Sequence, residues 1–210
     1  MPITEHPMQA LAAYLPDNTF EPVVNYIHQY KIHLTVTRKR RSVLGDYRHA
    51  AGWGNHKISI NGNLNKYEFL ITFLHELAHL FTFEQYKNRV EPHGTEWKNY
   101  YSLLLQDFVN KQVFPAEIEK ALQKSIRNPS ATANGETELL MVLRNYSQQL
   151  RPGYTIVDKV PDGAQFITDN GKQFQKVGKR RKRYECVEVK TGRRYSFSGL
   201  SEVKLVNPST

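Results

Sequence analysis

The sequence predicts an α+β fold, in which a short β-sheet packs on a buried helix and a small antiparallel, barrel-like β domain follows. Three observations lead to this prediction. Ile32–Thr37 alternates apolar and polar residues, as a half-buried strand does. Lys66–Tyr86 has apolar residues around nearly its whole circumference, which indicates a central helix buried on all sides. After Pro152, short β-like runs separated by turn sequences fill the rest of the chain.

The first domain, residues 1–150, is predicted to combine helices with three strands. Asn65 is the expected N-cap of the central helix, and Glu68 three residues later completes a capping box. Thr95 is expected to cap the next long helix, and residues 128–135 have the composition of a linker. In chain order, the predicted elements are helices Thr4–Tyr14 and Phe20–Tyr30, strands Ile32–Thr37, Ser42–His49 and Lys57–Asn61, and helices Lys66–Tyr86, Thr95–Asn110, one beginning after Pro115, and Glu136–Leu150.

The second domain, residues 151–210, is predicted to contain strands only. Asp169-Asn170-Gly171-Lys172 and Lys190-Thr191-Gly192-Arg193 have the composition of hairpin turns. Short strands at this spacing suggest a small antiparallel barrel or curled sheet. The predicted strands are Tyr154–Val160, Ala164–Thr168, Gln173–Val177, Tyr184–Lys190, Arg194–Ser198 and Glu202–Val206.

Positive charge is concentrated near the end of the chain, whose 210 residues have a formal net charge of +9. Residues 151–210 carry 13 Lys and Arg against 6 Asp and Glu, a net of +7, whereas residues 1–150 carry 16 against 14, a net of +2. Such asymmetry favours a polyanionic partner, nucleic acid before a membrane. A basic surface that serves only solubility is the alternative.

Cysteine content and hydropathy restrict the class of protein further. The single cysteine, Cys186, excludes an intrachain disulfide and a cysteine-based zinc cluster. Residues 1–15 lack a basic region followed by a long apolar stretch, so we expect no signal peptide. Phe69–Phe83 is the longest apolar run, but polar residues interrupt it and it is too short to cross a bilayer. We therefore expect a cytoplasmic protein without membrane association; the sequence indicates no oligomeric state.

Two histidines and a glutamate lie within the predicted buried helix, in the segment His75-Glu76-Leu77-Ala78-His79. Positions i and i+4 share a helix face, so His75 and His79 can bind one ion, and zinc prefers such nitrogen ligands. Glu76 projects from the edge of that face, where the HExxH pattern places a general base. Burying these side chains without a partner is costly, which favours a bound metal over a hydrogen-bonded core pair.

A catalytic zinc requires a third protein ligand and an open position for water. The candidates downstream are Glu91 and His93. We favour His93, because Gly94 after it allows a sharp backbone turn that brings the imidazole back over the helix. The metzincin spacing is absent, since Thr82 and Gln85 stand where its glycine and third histidine would be.

Together, His75–His79 and the segment Pro92-His93-Gly94-Thr95-Glu96-Trp97 resemble the SprT/Spartan metallopeptidases. The signature of that family is HExxH followed, after a variable loop, by His-Gly-x-x-aromatic, and Trp97 is the aromatic residue here. The resemblance covers roughly residues 20–110. It implies a compact zincin-like protease domain with one zinc ion, and it implies that the ligands are His75, His79 and His93 and the catalytic residue Glu76.

The resemblance also implies DNA-stimulated cleavage of proteins that are bound or crosslinked to DNA. Many bacterial members end in a Cys-rich zinc ribbon, which this chain lacks; a basic β domain stands in its place. The expected reaction is peptide hydrolysis with Glu76 as general base. Tyr86, Arg48 and His56 are candidates for stabilising the oxyanion.

Cations of the second domain are the expected contacts to nucleic acid. Most of the aromatic residues interleaved with them are expected to form the core of that domain. Arg38–Arg41 would extend the same basic surface. The expected contacts are Lys179, Arg180, Arg181, Lys182, Arg183, Arg193 and Arg194, with Lys172, Lys176 and Lys190 nearby.

Two other functions remain open at the level of the sequence. One is a nucleic-acid-binding protein whose zinc is structural and which has little or no proteolytic activity. The other is a zinc peptidase unrelated to DNA, whose basic tail recruits acidic proteins. Glu76 argues against the first, because a purely structural zinc site requires no glutamate at that position.

Overall fold

In the computed structural model the chain divides into two compact units, residues 1–147 and 148–210, each with its own hydrophobic core. The first unit combines helices with a sheet and the second is built on a sheet, so the predicted α+β class is confirmed. The residues that the structure describes are 8–40, 43–50, 52, 54–129, 137–147, 153–181 and 183–206.

The first unit opens with helical segments, continues with strands and ends with helices, in the predicted order. Residues 4–7 of the predicted first helix, residue 42 of the predicted second strand, residues 130–135 of the linker region, and residues 136 and 148–150 of the predicted last helix lie outside the described residues. The elements are a 3-10 helix Met8–Tyr14, α1 Phe20–Gln29, β1 Ile32–Thr37, β2 Gly45–Arg48, β3 His56–Asn61, α2 Lys66–Tyr86, α3 Thr95–Asn110, α4 Ala116–Arg127 and α5 Thr137–Arg144.

β2 is shorter than predicted, because its ladder with β3 spans only Gly45–Arg48. The chain just before it is held by one backbone hydrogen bond, from Asn61 N–H to the carbonyl oxygen of Leu44 (2.9 Å), and by side chains. Arg40 donates to the carbonyl oxygen of Leu44 (3.3 Å), and the side-chain nitrogen of Asn61 donates to that of Val43 (2.9 Å). Because side chains donate to these two carbonyl oxygens, the start of β2 cannot be read from the local sequence pattern.

The three strands form one sheet in the order β1-β3-β2, with β1 parallel and β2 antiparallel to β3. α2 packs against this sheet and against α3, which explains why apolar residues surround it. The α2 residues that are fully buried are Phe69, Leu70, Phe73, Leu74, Leu77, Ala78 and Leu80.

No helix within the described residues has the length and apolar character needed to cross a bilayer.

Asn65 caps α2 and also joins α2 to the last helix of the unit. Its Oδ1 accepts a hydrogen bond from the backbone N–H of Glu68 (2.9 Å), as predicted. Its Nδ2 donates to the carbonyl oxygen of Leu143 (2.8 Å) and to Ser147 Oγ (3.1 Å). The predicted cap at Thr95 is wrong: Gly94 is the N-cap of α3, and no side chain caps that helix.

The second unit is a six-stranded antiparallel sheet in the order β4-β9-β5-β6-β7-β8. Within the described residues the sheet stays open at β4 and β8, so the predicted barrel is not confirmed. Its core consists of Val157, Val160, Phe166, Phe174, Tyr184, Cys186 and Val203. The strands are β4 Tyr154–Ile156, β5 Gln165–Ile167, β6 Gln173–Arg180, β7 Arg183–Glu188, β8 Arg194–Ser198 and β9 Glu202–Leu205.

Two strands of the second unit end three or more residues away from their predicted ends, and other boundaries shift by one or two residues. Val157–Lys159 is a 3-10 helix, not a continuation of β4, because the backbone N–H of Val160 donates to the carbonyl oxygen of Val157 (3.2 Å), the bond from residue i+3 to residue i that closes such a turn. β6 runs past its predicted end at Val177, where the ladder with β7 changes register, and reaches Arg180. Lys179 and Arg180 therefore form the end of β6, and Arg181 lies in the turn that follows.

We predict that Asn65→Ala lowers the free energy of unfolding of the first unit by about 1–2 kcal/mol, because it removes an N-cap and a tie to α5. Asn63→Ala, at an exposed position two residues away, is the control and should change it by less than about 0.5 kcal/mol. Denaturant titration followed by tryptophan fluorescence reports on this unit, because both tryptophans lie in residues 1–147. Equal losses in the two variants would contradict the assignment.

Candidate metal centre

Three histidines from two elements converge in the first unit. His75 and His79 lie one turn apart on α2, and His93 lies in the turn before α3. One nitrogen of each lies within 4.8 Å of the others. The Nε2 atoms of His75 and His93 are 3.3 Å apart. The structure thus brings together the three histidines that the sequence singles out.

The donor set fits zinc in both chemistry and spacing. Two nitrogens bound to one zinc at about 2.0–2.1 Å in tetrahedral geometry lie about 3.3 Å from each other. This separation matches the one between His75 and His93. Only 7% of His75 is exposed, so its imidazole has little access to water, and a shared cation would satisfy all three rings.

The three imidazoles are neutral at physiological pH, which is the form that binds a metal. Burial, and then the neighbouring histidines, lower the pKa of His75 to about 3. Burial, and then His93, lower the pKa of His79 to about 4. Burial also lowers the pKa of His93. Because protons do not compete for these nitrogens near neutral pH, their lone pairs are available to a cation.

Trp97 supports all three rings from the first turn of α3. Its ring centroid lies 4.7 Å from that of His75, 5.3 Å from that of His79 and 4.7 Å from that of His93. Its side chain is fully buried, and its Nε1 has no hydrogen-bond partner among the described residues. The aromatic residue of the His-Gly-x-x-aromatic segment therefore fixes the histidines by packing.

His93 reaches the other histidines through its own backbone conformation. Its φ is +62°, whereas Gly94, which was expected to supply the sharp turn, has an extended conformation with φ −68°. Gly94 is instead required by close approach, since a Cβ there would lie 2.9 Å from the carbonyl oxygen of Glu91. Glu91 itself is exposed and lies outside the histidine cluster.

Glu76 is almost fully buried beside the histidines, against the edge strand β2. A Cβ added at Gly45 would lie 2.5 Å from Glu76 Oε1 and 2.7 Å from Thr72 Cγ2. The glutamate thus occupies space that exists because residue 45 has no side chain. Sequence reasoning missed this glycine, since only the pairing of β2 with β3 brings it to α2.

Charges from the same strand and the preceding loop act on Glu76. Burial and then Asp46 raise the pKa of Glu76 to about 8, and Arg40 opposes this rise. The Arg40 guanidinium donates to Asn61 Oδ1 (2.8 Å) and Ser59 Oγ (2.9 Å). Of the predicted run Arg38–Arg41, Arg40 is therefore already engaged by β3, and the expectation that the run extends a nucleic-acid surface stays a prediction.

The candidates for stabilising the oxyanion occupy different environments. Tyr86 is the last residue of α2 and is exposed. Arg48 is exposed and pairs with Asp46 at 2.9 Å. His56 is only partly exposed, and its Nδ1 lies 2.9 Å from Tyr47 Oη. Sequence reasoning missed Tyr47, whose ring lies parallel to that of His79 at 6.4 Å between centroids.

A buried helix that presents two histidines one turn apart, with a glutamate between them, is characteristic of metallopeptidase-type proteins. Comparison with known families identifies the group: the SprT-like family model matches residues 9–118. The chain therefore belongs to the SprT-like family. No curated protein and no solved structure matches the sequence.

We predict that His93→Ala reduces zinc affinity by more than the roughly 100-fold that substitutions around a metal ligand typically cause, because a direct ligand is lost. Glu91→Ala is the matched control, two residues away in the same turn, and should retain wild-type zinc content. Metal analysis after equilibrium dialysis against a zinc buffer measures both. Loss of zinc from Glu91→Ala with retention by His93→Ala would exchange the roles of the two residues.

Proposed function

We propose that this chain is a zinc-dependent metalloendopeptidase whose substrates are proteins bound or crosslinked to DNA. The convergence of His75, His79 and His93 next to the buried carboxylate of Glu76 carries the hydrolytic part of the proposal. Membership of the SprT-like family supports the same chemistry. The basic surface of the second unit supports the link to DNA.

Each polar residue of the centre has a distinct task in this reaction. His75, His79 and His93 would hold the zinc, which, when bound, supplies a water of lowered pKa and polarises the scissile carbonyl. Glu76 accepts the proton of the attacking water on a carboxylate oxygen and donates it to the leaving amine. Arg40 and a cation held by the histidines both favour the ionised carboxylate that a base requires.

Glu76→Gln should retain about one zinc per chain and lose peptide cleavage by about 100-fold to 10,000-fold, because the amide cannot accept the proton. Glu21→Gln, at an exposed position on α1, is the control and should remain active. Cleavage of a DNA-binding protein is measured by gel electrophoresis, with single-stranded, duplex or no DNA. Full activity of Glu76→Gln would remove the proposed base.

The same assay separates the three functions. Cleavage that depends on DNA supports the proposed peptidase of DNA-bound proteins. DNA binding without cleavage by the zinc-loaded wild type supports a nucleic-acid-binding protein with a structural zinc. Cleavage that is indifferent to DNA supports a peptidase unrelated to DNA.

The β6–β7 turn is the part of the second unit with the strongest support as a nucleic-acid contact. Arg180 and Arg183 are directly opposite each other in the ladder, and Arg181 in the turn has φ +57°. Opposed like charges and a left-handed arginine both oppose folding of the hairpin. A polyanion bound at this turn would offset that repulsion. Lys182, also expected to bind, lies outside the described residues.

Several basic residues of the second unit already have partners, and Arg183 itself donates to Ser196 Oγ (3.0 Å) and to the carbonyl oxygen of Ser196 (2.8 Å). Arg194 pairs with Glu185, and Lys172 pairs with Glu188 at 3.1 Å. Lys176 is buried and donates to the carbonyl oxygen of Val160 (2.5 Å), so the expectation that it lies on the basic surface is wrong. Lys179, Arg193 and Lys190 are exposed.

The aromatic residues among these cations are mostly core residues, as expected. Phe166, Phe174 and Tyr184 are buried, and Phe197 packs against them. Tyr195 is 36% exposed, but its hydroxyl contacts Glu188 at 3.2 Å. Contacts to phosphates, which do not depend on base sequence, are therefore favoured over stacking on bases.

Replacing Arg180 and Arg181 together by alanine should reduce the slope of log affinity for duplex DNA against log salt by about 1.8, because each lost phosphate contact removes about 0.9. Arg194→Ala, which removes a cation paired with Glu185, is the control and should change the slope less. Fluorescence anisotropy of full-length chains at several salt concentrations measures it. A slope unchanged in the double variant would remove the turn from the interface.

A further inference from the structure

Aromatic rings fasten the end of the β2–β3 hairpin to the helix face that carries a metal ligand. His79 and Phe83 lie one turn apart on α2. The ring of Tyr47, from β2, lies parallel to that of His79, with 6.4 Å between centroids and 3° between planes. The ring of His49, from the loop after β2, lies parallel to that of Phe83 at 4.3 Å. The hairpin thus covers two successive turns of α2.

A hydrogen bond to His56 holds the Tyr47 ring in its position against His79. Its Oη lies 2.9 Å from His56 Nδ1, and the backbone nitrogen of Ala50 lies 3.4 Å from the same atom. A backbone N–H can only donate, so Nδ1 is the acceptor and the Tyr47 hydroxyl donates to it. The remaining ring proton of His56 is then on Nε2, which lies 3.4 Å from Glu84 Oε1.

These contacts form a chain that begins at a metal ligand and returns to the same helix. Tyr47 belongs to β2, His56 to β3 and Glu84 to α2, five residues after His79. The three elements cannot shift independently without breaking a contact in the chain. Since the orientation of a ligating imidazole depends on the groups around it, the chain acts on the metal centre through His79.

We propose that Tyr47 is a positioning residue for the metal centre: its ring fixes the orientation of the His79 imidazole, and the hydrogen bond to His56 holds that ring in place. The proposal rests on the metal site assigned to His75, His79 and His93. The geometry of the ligand His79 would then be controlled from the edge strand β2, which also carries Gly45, the residue that leaves space for Glu76.

Tyr47→Leu removes the ring, and Tyr47→Phe removes only the hydroxyl. Tyr47→Leu should release zinc about 10-fold to 100-fold faster than the wild type, in the range that residues around metal ligands typically show. The zinc release rate of Tyr47→Phe should lie between those of the wild type and Tyr47→Leu, because its ring remains but the hydrogen bond to His56 is lost. Stopped-flow transfer of zinc to a chromogenic chelator measures the rate, and the visible spectrum of the Co²⁺-loaded chain reports ligand geometry.

His49→Ala is the matched control, because it removes a ring from the same hairpin that contacts Phe83 and no metal ligand. It should keep the wild-type zinc release rate and Co²⁺ spectrum. In a His56→Leu background, Tyr47→Phe should have no further effect, since the hydroxyl then has lost its acceptor. A merely structural role of the hairpin would instead make His49→Ala and Tyr47→Phe equivalent, which would overturn the proposal.

Failure of the metal site is distinguishable from failure of the proposal. If the wild type and His49→Ala bind no zinc, the metal centre itself is wrong. If both bind zinc and Tyr47→Phe and Tyr47→Leu share their release rate and spectrum, the positioning role is wrong. Should Tyr47→Leu fail to fold, Tyr47→Phe alone decides, and wild-type values in that variant overturn the proposal.

Discussion

The burial of imidazoles and a carboxylate in an apolar helix is the constraint on which the first unit depends. The sheet and α3 cover α2, so His75 and Glu76 have almost no access to water. Polar groups in such a place require partners from other elements. His93, in the turn before α3, brings a nitrogen to His75 and His79, Trp97 packs against the three rings, and Gly45 leaves space for Glu76 on β2. The contacts that stabilise the fold of the unit are therefore the same contacts that build its site.

Local patterns were sufficient for the parts of this arrangement that lie within one segment. The apolar circumference of Lys66–Tyr86, its cap at Asn65 and the spacing of His75 and His79 depend only on near neighbours in the chain. The pairing of His93 with this helix was predicted from the glycine that follows it and from the family resemblance. The backbone reason given for it, a turn at Gly94, was wrong, because the left-handed residue is the histidine itself.

Residues that act through strand pairing could not be found in this way. Gly45 and Tyr47 lie far from Glu76 and His79 in sequence, and the register of β2 against β3 alone sets their position beside α2. The environment of Arg40 also depends on contacts with residues distant in the sequence, and here they partly remove an apparent surface residue from solvent. As one of several consecutive cations it had the pattern of a solvent-exposed surface, yet Ser59 and Asn61 of β3 bind its guanidinium. A sequence pattern does not distinguish a cation that faces solvent from one that supports a loop.

The same limit explains why net charge overstates the basic surface of the second unit. A count of +7 treats Lys176, Arg194 and Arg181 alike. In the folded unit the first is buried among carbonyl oxygens, the second has a carboxylate partner, and the third is exposed at a turn where its conformation is unfavourable. Since a cation paired with a carboxylate releases fewer counterions on binding, the β6–β7 turn would contribute most to the proposed interaction with phosphates. The position of charges in the hairpin, and not their number, therefore determines where a polyanion would bind.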